Sequence, residues 1–328
     1  LYLSDSELVM KNISTTATGS SLLESVNSQV VIQGFQLDGL NRTISTLRWK
    51  YISSKLSKIN ITGMILNNFQ IIDGSIFSLH ESDVLAHHVS FSNIPILQQG
   101  DIIILTSGSL RMEDIRINEI SLFARIIDAE YLKLSKILLE LKSPLWTVFS
   151  ISNTKVIEIE QSNFNVVPSN NITSLSALFA LELKNSTVTI TDSNFLGGIS
   201  KFGFMYFTIT SAWNNRVNIQ QCSFQNNIAY NYAGAITIRE NINSTFRFKD
   251  STFLNNQALG PDVGQGGRGG AIYISTVNNK NAQPLYSFEN CSFENNYARF
   301  SGGAIYVNGY PPKFDSHTKF INNTLESN

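Results

Sequence analysis

Residues 224–238 decide the fold: Phe224-Gln225-Asn226-Asn227, then a short spacer, then Ala233-Gly234-Ala235-Ile236-Thr237-Ile238. The first phrase returns as Phe253-Leu254-Asn255-Asn256, Phe293-Glu294-Asn295-Asn296 and Phe320-Ile321-Asn322-Asn323. The second returns as Gly269-Gly270-Ala271-Ile272-Tyr273-Ile274 and Gly302-Gly303-Ala304-Ile305-Tyr306-Val307. A self-similar unit of roughly 25 to 30 residues built from short β-runs is the signature of a solenoid.

Positions at fixed offsets before the motif Phe keep one character. Five residues before it stand Ile159, Ile190, Ile219, Phe248 and Phe288; seven before stand Ile157, Val188, Val217, Phe246 and Tyr286. Apolar residues at steps of two with polar residues between describe a strand with one face in a core and one in water. The Ala-Ile-x-Ile/Val phrase reads as a second such strand. The Asn-Asn pair falls between the strands, where a tight turn needs residues that tolerate left-handed backbone angles.

One unit cannot bury its own apolar face, so successive coils must stack, each pairing in parallel with the next at ~4.8 Å. The expected fold is all-β: a right-handed parallel β-helix, or β-solenoid, of roughly eleven to twelve coils and on the order of 55 Å long from the strand spacing. Stacking is expected to superpose Phe164, Phe195, Phe224, Phe253, Phe293 and Phe320, and likewise Asn226, Asn255, Asn295 and Asn322, each amide donating to the coil below.

The motif Phe residues are spaced by 31, 29, 29, 40 and 27 residues. The long step places a loop insertion at residues 259–268, around Gly260-Pro261-Asp262-Val263-Gly264-Gln265-Gly266, with further excess near Asn278-Asn279-Lys280-Asn281. Gly264, Gly266 and Gly269 formally match a dinucleotide fingerprint. That mechanism needs a strand before and a helix after, so the stretch reads as a surface loop. Upstream, Phe35-Gln36-Leu37-Asp38-Gly39, Ile65-Leu66-Asn67-Asn68 and Phe91-Ser92-Asn93 look like worn copies. Residues 1–328 therefore read as one β-helix segment, with degenerate coils over 1–160 and regular ones over 161–328. Within 110–141, Ile115/Ile117, Leu132/Leu134 and Leu139/Leu141 alternate like strands, although 119–142 could also be written as a helix.

A net charge of −1, from 24 basic and 25 acidic residues, supplies no electrostatic footprint for nucleic acid. No apolar run approaches the ~20 residues of a membrane span; the longest are 102–105 and 175–183. The chain opens at Leu1 without an initiator Met and stops just after a motif copy, so we expect a piece of a longer protein whose end coils are covered by further coils or by a partner.

Asn-x-Ser/Thr occurs at Asn12, Asn41, Asn60, Asn171, Asn185, Asn243, Asn290 and Asn322, which suggests a secreted or cell-surface glycoprotein. Asn322, placed in the inner Asn ladder, is expected to carry no glycan. Cys222 and Cys291 both lie two residues before a motif Phe with Ser251 at the equivalent place between them, so the sulfurs should stand two coils, ~9.6 Å, apart. A disulfide needs Cα atoms within ~7 Å, and two buried, unpaired thiols are expected.

The Phe-x-Asn-Asn and Gly-Gly-Ala-Ile phrases resemble the polymorphic outer-membrane protein repeats, closely over residues 222–307, and more broadly the right-handed β-helix (pectin-lyase-like) superfamily. In the bacterial family such repeats form the exported passenger of an autotransporter and act in adhesion. Similar repeats occur in large surface proteins of protists, and the sequons and Ile/Asn/Phe/Lys-rich usage look more like those. The resemblance implies an extracellular structural or adhesive β-solenoid, part of a coat or fibre, with no catalytic residue and no cofactor. Self-association at the open ends is the expected partnership.

An enzyme is the rival class, since pectin-lyase-like folds often carry lyases or glycosidases acting on acidic polysaccharides. Such sites need paired carboxylates, or clustered Asp for calcium with a nearby Arg or Lys. The outward position three before the motif Phe reads Gln161, Asp192, Gln221, Asp250, Asn290 and His317, a polar ladder whose carboxylates are separated by a coil. His87-His88 reads as one in and one out, not a metal pair. Asp38-Gly39 and Asp73-Gly74 read as turns. The third class is a carbohydrate-binding module using Tyr230, Tyr232, Tyr297, Phe300 and above all Tyr273 and Tyr306, which occupy the same place in their coils. The plainer reading of these rings is cross-strand stacking.

Overall fold

The computed structural model describes residues 1–328 apart from 17–22, 45–49, 95, 121–122, 143–146, 168–176, 210–213, 241–243, 261–265, 277–284 and 327–328. Among the described residues every regular element is a strand and every ladder pairing is parallel. The repeat ladder of isoleucines and phenylalanines extends through the whole stack as Met10, Ile32, Ile61, Ala86, Met112, Leu134, Ile159, Ile190, Ile219, Phe248, Phe288 and Phe314, twelve rungs of one parallel ladder. The stretch that could have been helical is strand: Ile96–Ile120, Ala124–Ile127 and Tyr131–Lys142 each pair with the coils on either side.

Each coil has three long faces. In the coil of the opening motif these are Met205–Ile209, Asn215–Gln220 and Ser223–Gln225. The apolar positions seven and five before Phe224 thus lie on one strand and Phe224 on the next, because the backbone turns sharply at Gln221, whose φ is 52°. A fourth, two-residue face follows the Asn pair, or Gly197-Gly198 in the first instance: Ile199–Ser200, Ile228–Ala229, Gln257–Ala258, Tyr297–Ala298 and Thr324–Leu325 form a separate five-stranded sheet. Its inward Ala229, Ala258 and Ala298 are fully buried.

The left-handed corner is the device that makes a flat strand into a coil. Along one edge it recurs at Asn12, Gly34, Gly63, His88, Asp114, Lys136, Gln161, Asp192, Gln221, Asp250 and Asn290, with φ from 49° to 65°. A β-carbon in this conformation costs roughly 1 to 2 kcal/mol, which Gly escapes and Asn and Asp partly offset. At Gln161, Gln221 and Lys136 the stacked coils must supply that energy. Backbone amides of the corners do bond their neighbours: Gln221 N–H donates to Lys249 O at 3.0 Å and Asp250 N–H to Glu289 O at 2.9 Å.

Two of the worn copies are displaced from the expected register. Phe91, Ile117, Leu139 and Phe164 share the motif-Phe ladder. The Ser90 N–H bonds Met64 O, however, so Phe91 lies over Leu66 and not Ile65. Leu66 is buried and Ile65 is exposed, as a one-residue slip requires. Leu37, paired with Leu66, takes the motif place, and Phe35 sits two residues earlier on an inward corner position. Asp38-Gly39 and Asp73-Gly74 are not turns: they lie inside Gln36–Ile44 and Ile65–Ile94.

Candidate functional site

The interior of the last coils is a pair of aromatic stacks. Phe164, Phe195, Phe224, Phe253, Phe293 and Phe320 lie ring on ring, with centroids 4.6 to 5.3 Å apart and planes within 14° of parallel. Phe248 and Phe288 stack beside them at 4.6 Å. Identical side chains at identical offsets superpose because each parallel rung repeats the rotamer below it.

The first Asn of each pair does stack from coil to coil, with Asn255 Nδ2 donating to Asn226 Oδ1 at 3.2 Å, but the inner ladder is built from the second Asn, which corrects the expected inward placement. Asn227, Asn256 and Asn296 are fully buried, whereas Asn226, Asn255, Asn295 and Asn322 occupy left-handed turns with φ between 49° and 55°. Asn256 Oδ1 accepts from Asn227 N at 3.2 Å and Asn227 Nδ2 at 2.9 Å; its own Nδ2 donates to Phe224 O at 2.9 Å and to Asn296 Oδ1 at 3.0 Å. Asn296 repeats the pattern onto Asn323 and Phe253 O. The turn forces this division: a left-handed residue points its side chain out, and the next one inherits the inward direction. Asn322 is exposed, so the reason for excluding it as a glycan acceptor falls away.

Two residues before the motif Phe, a second ladder changes character along the stack. Val89, Ile115 and Ile137 are followed by Ser162, Ser193, Cys222, Ser251, Cys291 and Thr318. Each serine hydroxyl bonds the carbonyl two residues back and receives the backbone N–H of the neighbouring coil: Ser193 Oγ donates to Thr191 O at 2.7 Å and accepts from Ser162 N at 3.1 Å. Cys222 occupies the same place, its Sγ 3.2 Å from Gln220 O. Both cysteines are buried and unpaired, and burial pushes the Cys222 thiol up to about 12 and Cys291 up to about 11.

The outward row three before the motif Phe is the row of left-handed corners over Gln161, Asp192, Gln221, Asp250 and Asn290. Asn290 Nδ2 donates to Asp250 Oδ1 at 2.8 Å, and its backbone N–H points at Asp315. His87 and His88 do not divide into one inward and one outward residue: both reach water. His87 Nδ1 lies 3.2 Å from Glu113 and His88 Nδ1 2.6 Å from Asp114, because the left-handed turn at His88 (φ 53°) interrupts the alternation. Among the described residues no three His, Cys, Asp or Glu converge on a common point. Asn12, Asn60, Asn185 and Asn290 are exposed. Asn171 and Asn243 lie outside the described residues, and of Asn41 only its place in Gln36–Ile44 is described.

Tyr273 and Tyr306 are neighbours in one ladder that runs through Tyr206 and Thr237. Tyr273 stacks on Tyr306 at 5.4 Å and on Tyr232 at 4.4 Å; Tyr232 stacks on Phe202 at 5.7 Å and Phe202 on Tyr206 at 5.0 Å. Tyr232 fills the gap that the small Thr237 leaves. The ring faces are thereby closed by one another, and Tyr273 is only 6% exposed, which corrects its reading as an open stacking surface. Two arginines lie on this stripe: the Arg239 guanidinium is 5.9 Å from the Tyr232 centroid and that of Arg268 is 5.3 Å from Tyr306.

One buried carboxylate had no signal in the sequence. Asp101 is 2% exposed; Arg125 Nη2 reaches its Oδ2 at 3.3 Å, and Oδ1 has no partner. Burial outweighs the arginine and pushes this carboxyl up to about 6. It sits on the strand Ile96–Ile120 where Ser75 of the coil below is also buried.

The Chlamydia polymorphic membrane protein (Chlamydia_PMP) repeat matches residues 250–275 and 290–308. No curated protein and no solved structure matches the chain. The matched residues hold two Phe-x-Asn-Asn copies or their flanks and both Gly-Gly-Ala-Ile phrases, and the coils they form continue without a break in register into the unmatched ones. The chain is a parallel β-helix repeat protein, and its residues 250–275 and 290–308 are similar to the polymorphic membrane protein repeat.

Proposed function

We propose that this chain is part of a surface-displayed, non-enzymatic β-solenoid with a structural or adhesive role. The observation that carries the reading is the match to a membrane-protein repeat at phrases that recur in this chain as fold-forming ladders: Phe stacks, buried Asn and close-packed glycines. Gly234 and Gly270 show why the glycines recur, since a β-carbon on either would come within 2.8 Å of backbone atoms of the next coil. Sequence spent on stacking leaves the outer faces free to vary. Exposed sequons at Asn12, Asn185 and Asn290 agree with an extracellular, glycosylated surface.

Self-association through the end coils belongs to the same proposal. Phe314, Phe320 and Leu325 at one end, and Leu1, Tyr2 and Val9 at the other, are 44 to 65% exposed, and a further coil or a second copy would cover them. Electron microscopy of the native full-length protein, with protease digestion of intact cells, tests the reading. Protease-sensitive rods or filaments outside the cell are expected. A protein protected from protease in intact cells would overturn surface display.

A further inference from the structure

We propose that Asn308-Gly309 is a site of spontaneous covalent modification, converting through a cyclic imide to aspartate and isoaspartate at the open end of the solenoid. The proposal does not depend on the surface reading above.

Asn308-Gly309 is the only Asn-Gly pair in the chain. It ends the strand Ile305–Asn308 of the last coils, and both residues are exposed. Asn308 pairs with Ser275 on one side, and among the described residues no strand covers the other. The Thr276 hydroxyl donates to the Asn308 carbonyl at 3.3 Å. That close pass dictates the glycine: a β-carbon at 309 would lie 1.7 Å from the same hydroxyl oxygen, and φ at Gly309 is 127°. The nitrogen that follows the asparagine therefore has no side chain beside it to hinder attack. Neither the Asn308 side-chain amide nor the Gly309 N–H forms a hydrogen bond among the described residues, so each can turn toward the other.

The fold closes this route at comparable pairs. Asn27-Ser28 and Asn185-Ser186 also place a small residue after asparagine, but there the nitrogen is committed to a buried bond. Ser28 N–H donates to Ser57 Oγ at 3.2 Å and Ser186 N–H to Asn215 Oδ1 at 2.9 Å. Asp38-Gly39 and Asp73-Gly74, which could close the same ring, lie inside the strands Gln36–Ile44 and Ile65–Ile94.

The reaction needs only water and base. Gly309 N–H loses its proton and the nitrogen attacks Asn308 Cγ; the N–Cγ bond forms, the Cγ–Nδ2 bond breaks, and Nδ2 takes up a proton and leaves as ammonia. Water then opens the ring. Cleavage of the new N–Cγ bond leaves an aspartate at 308. Cleavage of the bond to the backbone carbonyl leaves isoaspartate, whose main chain runs through Cβ and Cγ and is one carbon longer. Either product adds one negative charge to the chain's −1. The lengthened connection leads from Ile305–Asn308 into Lys313–Phe314, whose Phe314 ring stacks on Phe288 at 5.2 Å, so the isoaspartate form loosens that rung.

Tryptic mapping of the native purified chain, aged at 37 °C and sampled over weeks, tests this through the peptide 300–313. Two products with the mass gain of amide-to-acid conversion are expected, formed on the order of tenfold faster at pH 8 than at pH 6 because the amide must lose its proton. Isoelectric focusing should show one more acidic species, absent from Asn308→Gln, whose longer side chain closes the ring poorly. Peptides holding Asn27 and Asn185 should stay unconverted over the same period. Hydrogen exchange at Lys313 and Phe314 should rise severalfold in the isoaspartate form. A native peptide 300–313 that stays intact while urea-unfolded protein converts would show that the fold shuts the site and would overturn the proposal. So would an acidic species that forms as fast in Asn308→Gln, or conversion at Asn27 or Asn185 as fast as at Asn308. Unchanged exchange in the isoaspartate form would overturn the loosening of the last rung.

Discussion

Asn227 directs two donors, its backbone N–H at 3.2 Å and its side-chain amide at 2.9 Å, onto a single atom of Asn256, the Oδ1. Each buried amide therefore satisfies the coil before it and is satisfied by the coil after it. Asn256→Ala leaves the Phe224 carbonyl and the Asn227 donors unpaired in a site with no access to water. We expect a loss of about 3 kcal/mol or more, read as a fall in the urea midpoint. Asn256→Asp should cost as much, because a carboxylate would face the Phe224 carbonyl and Asn296 Oδ1.

The adjacent residue should behave oppositely. Asn255 holds φ 53° with its side chain outward, so Asn255→Gly is expected to change stability by less than about 0.5 kcal/mol, and Asn255→Val to cost about 1 to 2 kcal/mol through its β-branch. Equal sensitivity of Asn255 and Asn256 to Ala in thermal melts would contradict the assignment of turn and ladder.

Cys222 stands where neighbouring coils have Ser193 and Ser251, and a hydroxyl there makes the same two bonds. Cys222→Ser should stay within about 1 kcal/mol of the parent. With the thiol pushed up to about 12, native protein should not react with Ellman's reagent at pH 8, whereas urea-unfolded protein should release two equivalents, one from each of Cys222 and Cys291. Rapid labelling of the native state would show that the ladder opens to water.

Asp101 carries a pH dependence of known sign. Its folded carboxyl is raised from 3.8 to about 6, so the folded state holds the proton more tightly than the unfolded chain. The stability this confers is present below about pH 4 and is lost as the pH rises to about 6. Asp101→Asn removes the titration. The stability difference between variant and parent should shift in favour of the variant by about 2 kcal/mol between pH 4 and 7, measured by urea denaturation at each pH. A difference that stays constant over that range would show that the carboxyl is not buried in solution.

Asn12, Asn185 and Asn290 sit at exposed left-handed corners, where the side chain reaches solvent. Glycopeptide mapping of the protein from a glycosylating host should find them occupied. Asn322, exposed on the same kind of corner, is now expected to join them, and its full absence of glycan beside occupied Asn290 would need a cause other than burial.

The stack, the parallel pairing and the inward faces were legible in the chain alone, because a strand repeats every two residues and a solenoid repeats identical residues at identical offsets. Ile159, Ile190 and Ile219 could be placed in one ladder without coordinates, and so could Cys222, Ser251 and Cys291. What failed was parity carried across a corner. Strand alternation predicted the direction of Asn226, Ile65 and His88 wrongly, since a left-handed residue resets which side of the chain faces the core. The sequence carries no local mark of where that reset falls when the corner is His, Gln or Lys instead of Gly or Asn. Contacts between coils were also out of reach: Tyr232 over Tyr273, Arg239 beside Tyr206 and Asp101 against Arg125 join residues of different coils, and only the register of the backbone hydrogen bonds brings those side chains together.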